Sequence, residues 1–208
     1  MIKDDSIQQF LDDLASKSST PGGGSAAAVL GAMAAALVTM VANLTIGKKN
    51  YESVETKMKE LLEQSEDIRQ RLIELIQADV AVFNQVMDSY GMPKDTEDEK
   101  QQRSQAIQKS LMAATEVPLD CARLSAEIIE LSAQVAESGN LNVVSDAGVA
   151  VLSSHAALRS AALNVNINLA NIKDESFVHD RRAQLEQIMN DTGSRTEEIY
   201  NLVANKLK

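Results

Sequence analysis

Residues 25–46 read SAAAVLGAMAAALVTMVANLTI and lie inside a longer stretch, from Lys17 to Lys48, with no charged side chain between those two lysines. The run is long enough to cross a hydrocarbon core, for which roughly 20 apolar residues suffice. Its composition argues otherwise: eight of the 22 residues are Ala, and Gly31, Thr39, Asn43 and Thr45 dilute the rest. Membrane insertion is driven by Leu, Ile, Phe and Val, and no aromatic belt or asymmetric basic flank is present. A buried helix fits better. Ala28, Ala32 and Ala36 make a flat strip suited to close backbone approach, at a bundle centre or across a dimer interface. Gly31, costly in mid-helix, then has a reason in that approach.

Outward from this run the hydrophobic period is helical nearly everywhere. Ile7, Phe10, Leu11 and Leu14 predict a short first helix, broken by Pro21–Gly24. Gly47 stops the Ala-rich helix. Ser53 is the expected N-cap of a long helix ended by Gly91 and Pro93, and Asp95 or Thr96 caps the next. Pro118 is expected to kink or break that helix, whose continuation ends at Gly139. Another long helix runs from near Asn142–Ser145 to about Ala170, and the helical C-terminal part is open to interruption at Gly193. The expectation is one all-α domain over residues 1–208, a bundle of long, roughly antiparallel helices.

Two helices carry polar stripes without the Lys, Glu and Gln of a solvent face. Ser25 and Asn43 are 18 residues apart, five full turns, so they share a direction with Thr39 between them. Asp146 and Asn164 repeat the spacing, with Ser153, Ser160, Asn168 and Asn171 near the same line. Such groups, if buried, must be hydrogen-bonded, to another helix or to a polar ligand. Pro21, Gly22, Gly23, Gly24 and Ser25 open a helix whose free N–H groups favour electron-rich oxygens, or form a plain turn with Ser25 as cap. Asp79 sits on the apolar stripe of its helix, in phase with Leu72, Ile76 and Phe83, so it is paired or functional. Asp146 is a helix-start carboxylate or an acid/base. Lys48 and Lys49 are a solvated helix end or a local cationic patch. Cys121 has no neighbour to lower its pKa and reads as inert.

The net charge of -10 leaves no bulk basic surface for nucleic acid or anionic membrane. A single cysteine suits a reducing cytoplasm, and no basic-then-apolar start signals secretion. Without HxxxH or CxxC spacing, no metal site is expected.

Taken together, TPGGGSAAAVLGAMAAALVTMVANLT (20–45), GKKNY (47–51), VPLD (117–120) and GNLNVVSDAGVAVLSSHAALRSAALNVNINL (139–169) resemble the cyclodeaminase/cyclohydrolase family. The resemblance implies a helical dimer and a tetrahydrofolate substrate, with no tightly bound cofactor. It implies formimidoyltetrahydrofolate cyclodeaminase activity, releasing ammonia with ring closure, as the first expectation, and methenyltetrahydrofolate cyclohydrolase activity as the alternative. A non-catalytic folate-binding or scaffold dimer is a third. Under the same resemblance a separate formiminotransferase is an expected partner. Under this reading Asp146 is the first choice for the acid/base and Asp79 the second. Lys48 or Lys49 meets the glutamate tail, and Asn43, Asn164 and Asn168 meet the folate ring.

Overall fold

The computed structural model describes residues 4–208, among which there is no β-strand. Seven α-helices follow in order: α1 (Ile7–Leu14), α2 (Gly23–Asn43), α3 (Glu55–Gly91), α4 (Glu97–Ser138), α5 (Val144–Leu169), α6 (Glu175–Met189) and α7 (Thr192–Lys206). The fold is the expected all-α bundle. Short 3-10 turns at Glu52–Val54 and Leu141–Val143 lead into α3 and α5.

The direction of each helix follows from its cross-links. Ser25, near the start of α2, bonds Asp79 late in α3, while Thr39 bonds Ser65 early in α3. On α5, Ser154 donates to the Ser125 carbonyl of α4, and Asn168 to that of Ala114. Gly23 faces Asn164, whereas Thr45 beyond the end of α2 accepts from the backbone of Asn140 before α5. Thus α2 runs antiparallel to both α3 and α5, and α5 antiparallel to α4. One core draws on all seven helices, from Phe10 of α1 to Leu185 of α6 and Ile199 of α7.

α2 occupies the middle. A Cβ at Gly31 would meet Leu72 of α3 at 3.1 Å and Ser125 of α4 at 3.4 Å, which is the close approach that the glycine implied. Both α2 and the Leu141–Leu169 segment are long and apolar enough to cross a membrane, yet half of that window in α2 is buried inside the bundle. Within the bundle the expected alanine strip is packed at one end only: Ala28 is buried, Ala32 half-buried and Ala36 exposed, while Ala34, Ala35, Val38, Val41 and Ala42 fill the core.

Four boundaries differ from expectation. α2 begins two residues before Ser25, with Gly22 as its cap. Ser53 caps nothing; it lies in the 3-10 turn, and α3 starts without a side-chain cap. α4 passes straight through Pro118 as a single helix of 42 residues. The α6–α7 break falls at Asn190–Asp191, where Asp191 adopts a φ of 57°, and Gly193 is inside α7. Thr96 does cap α4, in a reciprocal box with Glu99.

Candidate active site

The first N–H groups of any helix need acceptors from outside it. Gly22, the N-cap of α2, has extended backbone and no side chain to offer. The acceptor comes from α3: Asp79 Oδ2 receives the Ser25 hydroxyl at 2.8 Å, and the carboxylate also receives the Ser25 backbone N–H. A Cβ on Gly24 would overlap that carboxylate, so the glycine is demanded by space. Burial pushes the Asp79 carboxyl above the ordinary value, outweighing the opposing pull of the Ser25 hydroxyl and N–H.

Asp79 opens onto a cavity of about 350 Å³ between the start of α2, the second half of α3, the middle of α4 and the end of α5. Gly22–Gly24 form one wall, and Phe83, Met87 and Tyr90 of α3 an apolar one. α5 contributes Asn164 and Asn168, and the turn just after it Asn171. Each of these amides spends its NH2 group on a backbone carbonyl: Asn164 on Ser160 at 2.9 Å, Asn168 on Ala114 at 2.9 Å and Asn171 on Ile167 at 3.0 Å. A carboxamide so engaged keeps its oxygen as an acceptor. Among the described residues none of the three Oδ1 atoms has a partner. The lining therefore presents one carboxylate and three amide oxygens, and among the described residues neither Lys nor Arg lines it. Such a surface suits a ligand rich in N–H donors or carrying positive charge. The carboxylate, part-dried but still in contact with the cavity, is equipped to exchange a proton with it.

The structure brings together Gly22, Gly23, Gly24, Ser25, Asp79, Asn164 and Asn168, with Pro21 buried in the same turn. It separates the rest. Asp146 lies half-buried in the first turn of α5 and does not line the cavity. Eighteen residues that share a direction are also about 27 Å apart along the axis, so Asp146 and Asn164 mark opposite ends of one helix. The same spacing carries Asn43 to the far, exposed end of α2. There Lys48 donates to Asn140 Oδ1 at 2.8 Å, tying α2 to the α4–α5 junction, and Lys49 is exposed. Asp79 thus replaces Asp146 as the carboxylate that geometry favours. The inert reading of Cys121 agrees with its setting: burial pushes its thiol up to about 12.

Sequence reasoning passed over Tyr90 and Pro118 as site residues. The apolar stripe of α3 running on through Phe83 and Met87 towards Tyr90 was the available signal for the first. For the second, the signals were a proline in mid-helix and its place in the VPLD segment (117–120).

The family described as formiminotransferase-cyclodeaminase matches residues 6–187. A methenyltetrahydrofolate cyclohydrolase from Methylorubrum extorquens is 52% identical over 207 residues, all of both chains. A formimidoyltransferase-cyclodeaminase from Rattus norvegicus is 30% identical over 91% of this chain, which spans only 35% of that protein. The crystal structure of a formiminotetrahydrofolate cyclodeaminase from Thermotoga maritima superposes with a TM-score of 0.84 at 35% identity, covering 100% of this chain and 98% of that one.

Proposed function

The chain belongs to the formiminotransferase-cyclodeaminase family, and from that premise we propose that it is a folate one-carbon enzyme that hydrolyses 5,10-methenyltetrahydrofolate to 10-formyltetrahydrofolate. The observation that carries the choice of reaction is the match, end to end, to a cyclohydrolase at 52% identity. This reverses the first expectation from sequence, which put the cyclodeaminase reaction ahead.

The cavity supports the chemistry. The methenyl bridge joins N5 and N10 as a delocalised cation, and the lining is an anionic and acceptor-rich surface to which no described Lys or Arg contributes. Water adds to the bridge carbon while Asp79 takes one of its protons. The carbinolamine then collapses: the C–N5 bond breaks, the hydroxyl becomes the formyl oxygen on N10, and its proton passes to N5. One proton is released overall, and a carboxyl group with a raised pKa is suited to hold and return it.

Within one chain Lys48 and Lys49 sit at the other end of α2 from the cavity, so neither reaches the glutamate tail of a folate bound there. Arg103 and Lys173 flank the cavity instead. Arg103 donates to the Tyr90 carbonyl at 3.0 Å, and the Lys173 backbone N–H bonds Gln108, which in turn donates to the Asn171 carbonyl. Arg103→Ala is expected to raise KM with kcat nearly unchanged, in steady-state assays at low ionic strength.

The deciding experiment supplies purified protein with 5,10-methenyltetrahydrofolate and follows decay of its absorbance. Acceleration over buffer is expected, and its absence would sink the reading. A parallel assay with 5-formiminotetrahydrofolate, reading ammonia, tests the cyclodeaminase activity that the name of the Thermotoga maritima structure favours. A homodimer and a cytoplasmic setting belong to the same proposal.

A further inference from the structure

A proline inside a helix withholds an N–H from the carbonyl four residues earlier. Pro118 lies in the middle of α4, so the carbonyl it leaves unserved is that of Ala114. Pro118 is buried, Ala114 is only 6% exposed, and both line the cavity. A buried carbonyl without a donor is costly. The donor that serves it is the Asn168 side chain of α5, at 2.9 Å.

This contact differs from those of the two neighbouring amides. Asn164 and Asn171 donate to carbonyls only four residues back, Ser160 and Ile167. Asn168 alone is fixed from across the interface by another helix. Only its NH2 end can face a carbonyl, so its Oδ1 is turned away from Ala114 and left as an acceptor on the cavity wall.

We propose that Pro118 is a positioning residue: by freeing the Ala114 carbonyl it locks the Asn168 carboxamide with Oδ1 towards the cavity, where it accepts a hydrogen bond from the N–H edge of the reduced pterin ring. With an ordinary residue at 118, the helix would reclaim the Ala114 carbonyl. Asn168 would then be free to turn, presenting donors to a ligand edge that also consists of donors. The inference rests on the folate reading for the identity of the ligand, whereas the locking itself is a property of the free protein.

The test has two arms. In the first, without folate, the side-chain NH2 signals of Asn168, assigned by the Asn168→Ala variant, are followed by NMR. Slow solvent exchange is expected in the wild type and fast exchange in Pro118→Ala. Equal exchange rates in the two overturn the locking. In the second, kinetics with 5,10-methenyltetrahydrofolate compare Pro118→Ala, Asn168→Ala and the double variant. Pro118→Ala is expected to raise KM about tenfold, the scale of one well-placed hydrogen bond, with a smaller change in kcat and no fall in Tm. In the Asn168→Ala background the same proline substitution should leave KM unchanged. A KM near wild type for Pro118→Ala, or an undiminished effect in the Asn168→Ala background, overturns the positioning role. A wild-type protein that turns over no folate while passing the exchange test would instead remove the functional reading and leave the lock standing.

Discussion

At the scale of single residues, Asp79 carries both chemistry and structure. It is the acceptor for the start of α2 and, among the described residues, the only carboxylate lining the cavity. Asp79→Asn keeps an oxygen for Ser25 but cannot take a proton. A loss of about 10²–10⁴ in kcat is expected, the usual contribution of a general acid/base. Because the folded protein holds the Asp79 proton more tightly than an unfolded chain would, the ionised carboxylate costs stability near neutral pH, and that cost vanishes as pH falls through the raised pKa. The variant should therefore match or exceed the wild-type Tm at pH 7. The wild-type pH–rate profile should lose activity on acidification at a pH above 3.8, the ordinary Asp value, as the base is protonated. Gly24→Ala drives a methyl group into the same carboxylate, whereas Gly23→Ala meets only the Asn164 amide at 3.7 Å. The first should abolish turnover and the second leave most of it, in matched assays. Asp79 was legible in the sequence as a carboxylate out of place on an apolar stripe. Asp146 stands out instead through sharing a polar stripe with Asn164, but a helical wheel gives direction and no depth, and only the paired helices reveal which end holds the cavity.

The elements were legible where the period was strong and the punctuation conventional. Gly91 and Thr96 ended and began helices as their chemistry predicts. Pro118 did not break α4, because packing on both sides holds the helix and a neighbouring amide serves the carbonyl that the ring abandons. No local rule contains that neighbour. The polar stripes likewise resolved into two uses: Thr39 is glue to Ser65, while Asn164 and Asn168 face a cavity. Tight crossing is the constraint on α2. Gly31→Val would push against Leu72 and Ser125, and a loss of about 1–3 kcal/mol in urea unfolding is expected, typical of overpacking.

At the scale of the whole molecule, α2 and α5 pack side by side, and each keeps apolar side chains outside the bundle. Met33 is 55% exposed on α2, and Leu163 and Ile167 are 73% and 66% exposed on α5. Surfaces of this kind mark interaction sites, and a second copy of the chain is the proposed occupant. Sedimentation velocity should give a dimer for the wild type and a monomer for Leu163→Glu. The sequence leaves open whether the Ala-rich helix packs at a bundle centre or across a dimer interface, since periodicity does not distinguish burial within a chain from burial between chains. A last consequence concerns the junction remote from the cavity. Asn140 spends its backbone N–H on Thr45, its NH2 on the Leu44 carbonyl and its oxygen on Lys48. It clamps one tip of a rod about 31 Å long whose other tip is the glycine turn. A lever pinned that way magnifies small tilts, so damage at Asn140 will blunt the far tip first and turn up in a genetic screen as a heat-sensitive enzyme rather than as an absent one.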